Sequence, residues 1–230
     1  MSLLRVLKNK KRKLRESFYR KLFKYKKNFE HWHHHKKIEE LVRNGLRIGK
    51  NVTIMPTAEI DDSYPYLISI GDNCSISKYV QLIAHDQATF KFSEDNLERL
   101  GKIEIKENCY IGQSAIILPG VTIGPNVLVA AGSVVNKDIP PNSCVAGVPA
   151  RVYSKFDEFI SRQVKQAKVR PNFSSKETMH PISDKLIEKM RPLAEDGDLF
   201  IRGFQGGPVE TFPYIVKQEL IDKALNGDNL

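Results

Sequence analysis

His85 is the residue of this sequence best placed to move a proton. The other histidines lie towards the two ends, His31, His33, His34 and His35 on one side and His180 on the other. In Ala84-His85-Asp86 the imidazole marks the point where a regular apolar pattern gives way to a polar stretch, Gln87 to Gly101, that contains Ser93, Glu94, Asp95 and Asn96. Imidazole titrates near neutrality, so it is the usual base for drawing a proton from a hydroxyl nucleophile. A carboxylate on the second ring nitrogen would hold the tautomer and stabilise the imidazolium that forms. Asp86 and Glu94 are the candidates for that place, although neighbouring residues on a strand point to opposite faces, which counts against Asp86.

The remaining clusters suit chemistry less well. In His31-Trp32-His33-His34-His35, His31 shares a helical face with His34 or His35, and no cysteine or acid completes a ligand set at metal spacing. These residues read as a solvated helix end, and no metal is expected. Three cysteines, a small and odd number, argue against a disulfide framework. Cys74 and Cys109 fall where the pattern wants a small buried side chain, so packing explains them, and a reducing cytoplasm fits.

The elements that must position His85 come from a period of six. Ile105, Ile111, Ile117, Ile123, Val129 and Val135 follow one another at that interval, and the residue four places after each is small or apolar: Cys109, Ala115, Val121, Val127, Ser133 and Ile139. Such a period suits neither a 3.6-residue helix nor simple strand alternation. It suits a three-sided prism in which each hexad is a flat face and its aliphatic residue points to the axis. Earlier rungs begin at Ile48, Ile54 and Ile60, then at Ile70, Ile76 and Leu82, with an excursion within Asp61 to Ser69 and a longer loop before Ile105.

Three stretches, Ile70-Gly71-Asp72-Asn73-Cys74-Ser75-Ile76, Ala84-His85-Asp86 and the run from Ile105 to Arg151, resemble the hexapeptide-repeat acyltransferases, in the branch of sugar and xenobiotic O-acetyltransferases. The resemblance covers about 105 residues and implies a mainly β fold, a left-handed parallel β-helix with an N-terminal helix and a helical or irregular C-terminal extension. It implies acetyl-CoA as cosubstrate, a sugar hydroxyl as acceptor in cell-surface polysaccharide assembly, His85 as base, and a homotrimer with each site between two prisms. Matching to the family's donor contacts picks out Gln113, Ala131, Asn136, Lys137 and Arg151, with the two cations meeting phosphates. Asp61 and Asp62 occupy the excursion where resembling enzymes place acceptor-binding groups. Tyr110 stands where the family often has tryptophan. N-acetylation of an amino sugar and a catalytically silent scaffold remain the alternatives, whereas the zinc chemistry of carbonic anhydrases with this fold would need three rung histidines.

The expected organisation is a basic amphipathic helical segment over 1–45, the β-helix over 46–151 with a protruding loop at 87–102, and an extension over 152–230. Leu14, Phe18, Leu22, Tyr25, Phe29 and Trp32 lead to Ile38, Leu41 and Val42 at near-helical spacing, predicting a helix over 13–43 that Asn44-Gly45 ends. In the extension, Phe156 to Val164 predict a helix stopped by Pro171, Ser183 to Met190 and Val216 to Leu225 two more, and Arg202 to Gly207 a glycine-rich loop. No secretory leader or membrane span is expected. The net charge of +9 is concentrated: residues 1–28 hold 12 Lys or Arg against one acid, Glu16, whereas the other 202 residues hold 24 basic and 26 acidic groups. Such a segment either packs its apolar stripe on the β-helix or a neighbouring subunit, or lies on the anionic inner face of a membrane; nucleic acid is set aside. Surface contact predicts that the full chain floats with anionic liposomes at low salt and loses this at high salt or without residues 1–28. Packing predicts no flotation at either salt.

Overall fold

The computed structural model describes residues 32–174 and 182–202, together with 15, 17–19, 21, 22, 29 and 222. Residues 32–43 form helix α1, whose face of His34, Ile38, Leu41 and Val42 is buried. His34 is only 7% exposed, which corrects the expectation of a solvated histidine end. The reason is helical spacing, since positions four apart share a face and Ile38 carries His34 inward. Gly45 has φ +99°, and the Gly45 and Leu46 N–H groups donate to the carbonyls of Val42 and Leu41 at 3.0 and 2.9 Å. This left-handed C-cap satisfies two terminal carbonyls and turns the chain into the first rung. Most of the expected 13–31 part of the helix, like the expected helix at 216–225 and loop residues 203–207, lies outside the described residues.

The chain then winds as a triangular coil. The first turn is β1 (Arg47–Ile48), β2 (Thr53–Ile54) and β3 (Glu59–Ile60), and the second is β4 (Ile68–Ile70), β5 (Ser75–Ile76) and β6 (Gln81–Leu82). A hairpin of β7 (His85–Asp86) and β8 (Arg99–Leu100) intervenes. The third turn is β9 (Ile103–Ile105), β10 (Tyr110–Ile111) and β11 (Ile116–Ile117); the fourth is β12 (Thr122–Ile123), β13 (Val127–Val129) and β14 (Val134–Val135). Corresponding strands stack into three parallel sheets, β1-β4-β9-β12, β2-β5-β10-β13 and β3-β6-β11-β14. β15 (Ser143–Gly147) extends the second sheet in parallel, and β16 (Ala150–Lys155) closes it in antiparallel.

The register places every sixth residue over its counterpart one coil away. Ile54, Ile76, Ile111, Val129 and Val145 form one inward column, and Ile60, Leu82, Ile117 and Val135 another, each 4% exposed or less. Cys74 and Cys109 lie in the packing positions expected of them. Their Sγ atoms donate to the carbonyls of Lys106 and Gly124 at 3.0 and 3.1 Å, and the contact with Cys74 followed by burial pushes the Cys109 thiol far up. Beyond β16, α2 (Phe156–Val169) runs to Pro171, and α3 (Asp184–Glu195) starts at the Ser183 cap and continues past the expected Met190. A parallel pair, β17 (Asn172–Ser174) with β18 (Phe200–Arg202), brackets α3 and was not legible in the sequence.

One edge of the prism carries a column of asparagines. Asn51, Asn73, Asn108, Asn126 and Asn142 each have φ between 54° and 57°, and the first four amides each donate to the next asparagine at 2.8 to 3.3 Å. Asparagine tolerates this left-handed conformation and its amide can both donate and accept along the stack. Asn108 sits mid-column. Replacing it with alanine is expected to destabilise the fold by about 2 kcal/mol, and with glycine by about half that, because glycine loses the amide bonds but not the backbone preference. Urea denaturation midpoints of the two variants check the order.

Candidate active site

The site arises where the coil departs from its repeat. Asp61 directly follows the inward Ile60 at the end of β3, and its N–H donates to the Leu82 carbonyl at 3.0 Å, so it lies one rung away from Ile83. The chain then leaves the prism through a 3₁₀ turn, Pro65–Leu67. Asp61 Oδ1 accepts from the N–H groups of Ser63 and Tyr64 at 3.1 and 3.3 Å, an Asx-type turn that starts the excursion. Its Oδ2 accepts from the Ala84 N–H at 2.9 Å and faces His85 Nδ1 at 2.5 Å.

The carboxylate beside the imidazole is therefore Asp61, in place of the expected Asp86 or Glu94. Asp86 is turned away by strand alternation, and its Oδ1 accepts instead from the Ala88 N–H at 2.8 Å. Glu94 is exposed in the outer part of the hairpin. Asp61 was expected to meet an acceptor, but its side chain is 2% exposed and its oxygens are engaged by three backbone N–H groups and the His85 ring, so it offers no free oxygen to a ligand. The sequence did carry a signal for this pairing. Aligning the hexads at Ile60 and Leu82 brings Asp61 beside Ile83, two residues from His85.

His85 is 31% exposed at its side chain and lines a cleft of about 410 Å³ with Lys37, Glu59, Asp62, Gln81 and Ile83. Asp62 is exposed in its wall, and Gln81 Nε2 donates to Glu59 Oε2 at 2.9 Å across two coils. Lys37 comes from α1, a contribution that hexad reasoning missed because the helix lies outside the repeat. Also unforeseen were Tyr64, whose hydroxyl donates to Glu98 Oε2 at 3.0 Å, and Glu98 itself. That bond, followed by desolvation, raises the Tyr64 phenol above its ordinary value.

The five expected donor contacts lie farther along the prism. Gln113 and Ala131 stand at the corners leading into β11 and β14, both exposed, and the Gln113 carbonyl accepts from the Gly132 N–H at 2.8 Å. Asn136 and Lys137 follow β14 on the same edge as His85, two rungs or roughly 10 Å on. Arg151 lies on β16 opposite Ala146, exposed, with Nη1 donating to the Ala150 carbonyl at 2.8 Å. None of the five is hydrogen-bonded to His85. At the Ala131 corner the rungs are bare: a Cβ on Gly112 would stand 2.6 Å from Ala131 N, and one on Gly132 would meet nothing within 4 Å. Tyr110 is exposed, and its hydroxyl accepts from Ser77 Oγ at 3.1 Å. Among the described residues no group of three or more His, Cys, Asp or Glu is arranged to hold a metal, and no helix is long and apolar enough to cross a membrane.

Residues 102–137 match the family described as bacterial transferase hexapeptide (six repeats). The Bacillus subtilis (strain 168) protein named "Putative acetyltransferase YvoF" is 32% identical over 122 residues, 53% of this chain and 67% of its own length. Galactoside O-acetyltransferase of Escherichia coli (strain K12) is 38% identical over 116 residues, 50% of this chain and 56% of its own. The chain thus spans between about half and two thirds of the length of these relatives. A crystal structure of a hexapeptide-repeat containing acetyltransferase from Vibrio cholerae, complexed with acetyl coenzyme A, is 33% identical and covers 49% of this chain and 61% of its own, with a TM-score of 0.45. With its stacked hexads and these relatives in sequence, the chain belongs to the hexapeptide-repeat acyltransferases.

Proposed function

We propose that this chain transfers the acetyl group of acetyl-CoA to a hydroxyl of a sugar. The observation that carries the reading is an imidazole lining an open cleft with its Nδ1 on a buried carboxylate. Three backbone N–H groups, of Ser63, Tyr64 and Ala84, converge on the two Asp61 oxygens, an environment that favours the carboxylate over the acid. Asp61 therefore acts as an acceptor and Nδ1 carries the ring proton, which leaves the Nε2 lone pair for the acceptor hydroxyl.

As Nε2 takes the hydroxyl proton, the oxygen attacks the thioester carbonyl. The carbon–sulfur bond of the tetrahedral intermediate then breaks, and the imidazolium returns its proton to the departing CoA sulfur. The products are an acetyl ester and free CoA, with His85 restored. Exposed Lys137 and Arg151 suit the phosphates of the donor, and the bare corner at Ala131 and Gly132 suits the close approach of its amide-rich arm. The exposed Asp62, together with Gln81, suits hydrogen bonds to sugar hydroxyls.

The reading extends to a left-handed coil, with residues 46–151 as the catalytic unit and 1–45 and 152–230 as its flanks. It places three chains around an axis, with His85 of one and Arg151 of its neighbour serving one site. It also makes cell-surface polysaccharide the acceptor, at the cytoplasmic face of the membrane.

His85→Ala is expected to lower kcat by about a hundredfold or more with the Kd for CoA unchanged, measured by thiol release and calorimetry. Unaltered turnover would remove the mechanism. Asp61→Ala should also cost about 2 kcal/mol in urea denaturation, because it strands three backbone N–H groups, whereas exposed Asp62→Ala should stay within about 0.5 kcal/mol.

A further inference from the structure

The mechanism leaves one well-defined network around His85 without a task. The Tyr64 ring centroid is 5.4 Å from that of His85, with the planes at 60°. Tyr64 is not among the residues that line the cleft. Its backbone N–H donates to Asp61 Oδ1, and its hydroxyl donates to Glu98 Oε2 at 3.0 Å. The other Glu98 oxygen accepts from Gln87 Nε2 at 3.1 Å. Gln87 follows β7 and Glu98 precedes β8, so one carboxylate joins both legs of the hairpin that carries His85. The raised phenol keeps Tyr64 a donor throughout the working range of an imidazole.

We propose that Tyr64, held by Glu98, is a positioning residue that fixes the plane of the His85 ring. The proposal rests on the reading of His85 as the base. A single bond from Nδ1 to Asp61 anchors one edge of the imidazole but leaves the ring free to swing about that anchor. A second ring packed against the imidazole limits this swing, because the imidazole cannot turn far without striking it. A base that must meet a hydroxyl within hydrogen-bond reach loses rate steeply when displaced, by about a hundredfold for 1 Å. With Tyr64 outside that lining, its effect falls on kcat rather than on binding.

The test uses the full chain with acetyl-CoA and methyl β-galactoside, and also follows the low-field Nδ1–H proton resonance of His85, assigned by its absence in His85→Ala. Tyr64→Ala is expected to lower kcat about tenfold or more, leave both KM values within about twofold, and broaden or remove the resonance. Tyr64→Phe and Glu98→Ala, which cut the same tether and spare the ring, should each cost about threefold, and the double variant no more than either, as for two ends of one bond. Glu98→Gln, which keeps an acceptor oxygen, should restore most of the loss. A sharp, unshifted resonance in Tyr64→Ala overturns the proposal even if no transfer to the galactoside is seen. So do additive losses in the double variant, or an effect on KM alone. If Tyr64→Ala does not fold, the tether variants decide the matter. Full turnover in His85→Ala would instead overturn the base reading, while the resonance still reports on whether Tyr64 holds the ring.

Discussion

In-register stacking of flat rungs is the constraint on which everything else in this structure depends. Once Ile54 lies over Ile76 and Ile111, every other residue of each coil has its counterpart about 4.8 Å away along the axis. A repeat of six residues per face leaves no slack: one inserted residue would rotate the following aliphatic column out of the core. The same constraint explains the asparagine column. A corner that needs a left-handed residue in one coil needs one in every coil, and an amide at that place gains a partner above and below.

The candidate site is built where that constraint is relaxed. Both departures from the period leave the prism at the same edge in successive coils, after β3 and after β6. The first contributes Asp61 and Tyr64, and the second contributes His85, Gln87 and Glu98. Their starting points are fixed by the register of Ile60 with Leu82, so two irregular segments are brought together by a regular core. In the third and fourth coils the same edge is turned tightly at Leu118 to Gly120 and Asn136 to Asp138, and no comparable wall is formed. Rigidity of the rungs thus supplies the precision of the candidate site, while the excursions supply its polar side chains.

The aliphatic period made the prism legible from sequence, since each inward residue reports its own position by simple counting. His85 was legible for a related reason, as a titratable group at a break in the count. Its carboxylate partner was not, because Asp86 and Glu94 are near along the chain, whereas contact in a coil runs across rungs to a residue 24 positions earlier. Tyr64, Glu98 and Lys37 were hidden for a different reason. They lie in segments without a period, where only the folded geometry says which side chains converge. His34 was misjudged because its neighbours His33 and His35 suggested a solvated run, yet helical spacing turns one of the three into the core.

The antiparallel strand β16 has a consequence for the molecule as a whole. A stack of parallel rungs ends in a row of unpaired N–H and C=O groups that would welcome the first rung of another copy, and repetition of that contact would grow a fibre. β16 reverses direction and occupies this row on the second sheet, with a register irregularity at Cys144 and Val145 that a continuing rung could not follow. At the opposite end the apolar face of α1 joins the core that begins at Val52 and Ile54. On the second sheet the C-terminal edge is thus taken up within the chain itself, while among the described residues the sheets ending in β12 and β14 carry no such antiparallel strand.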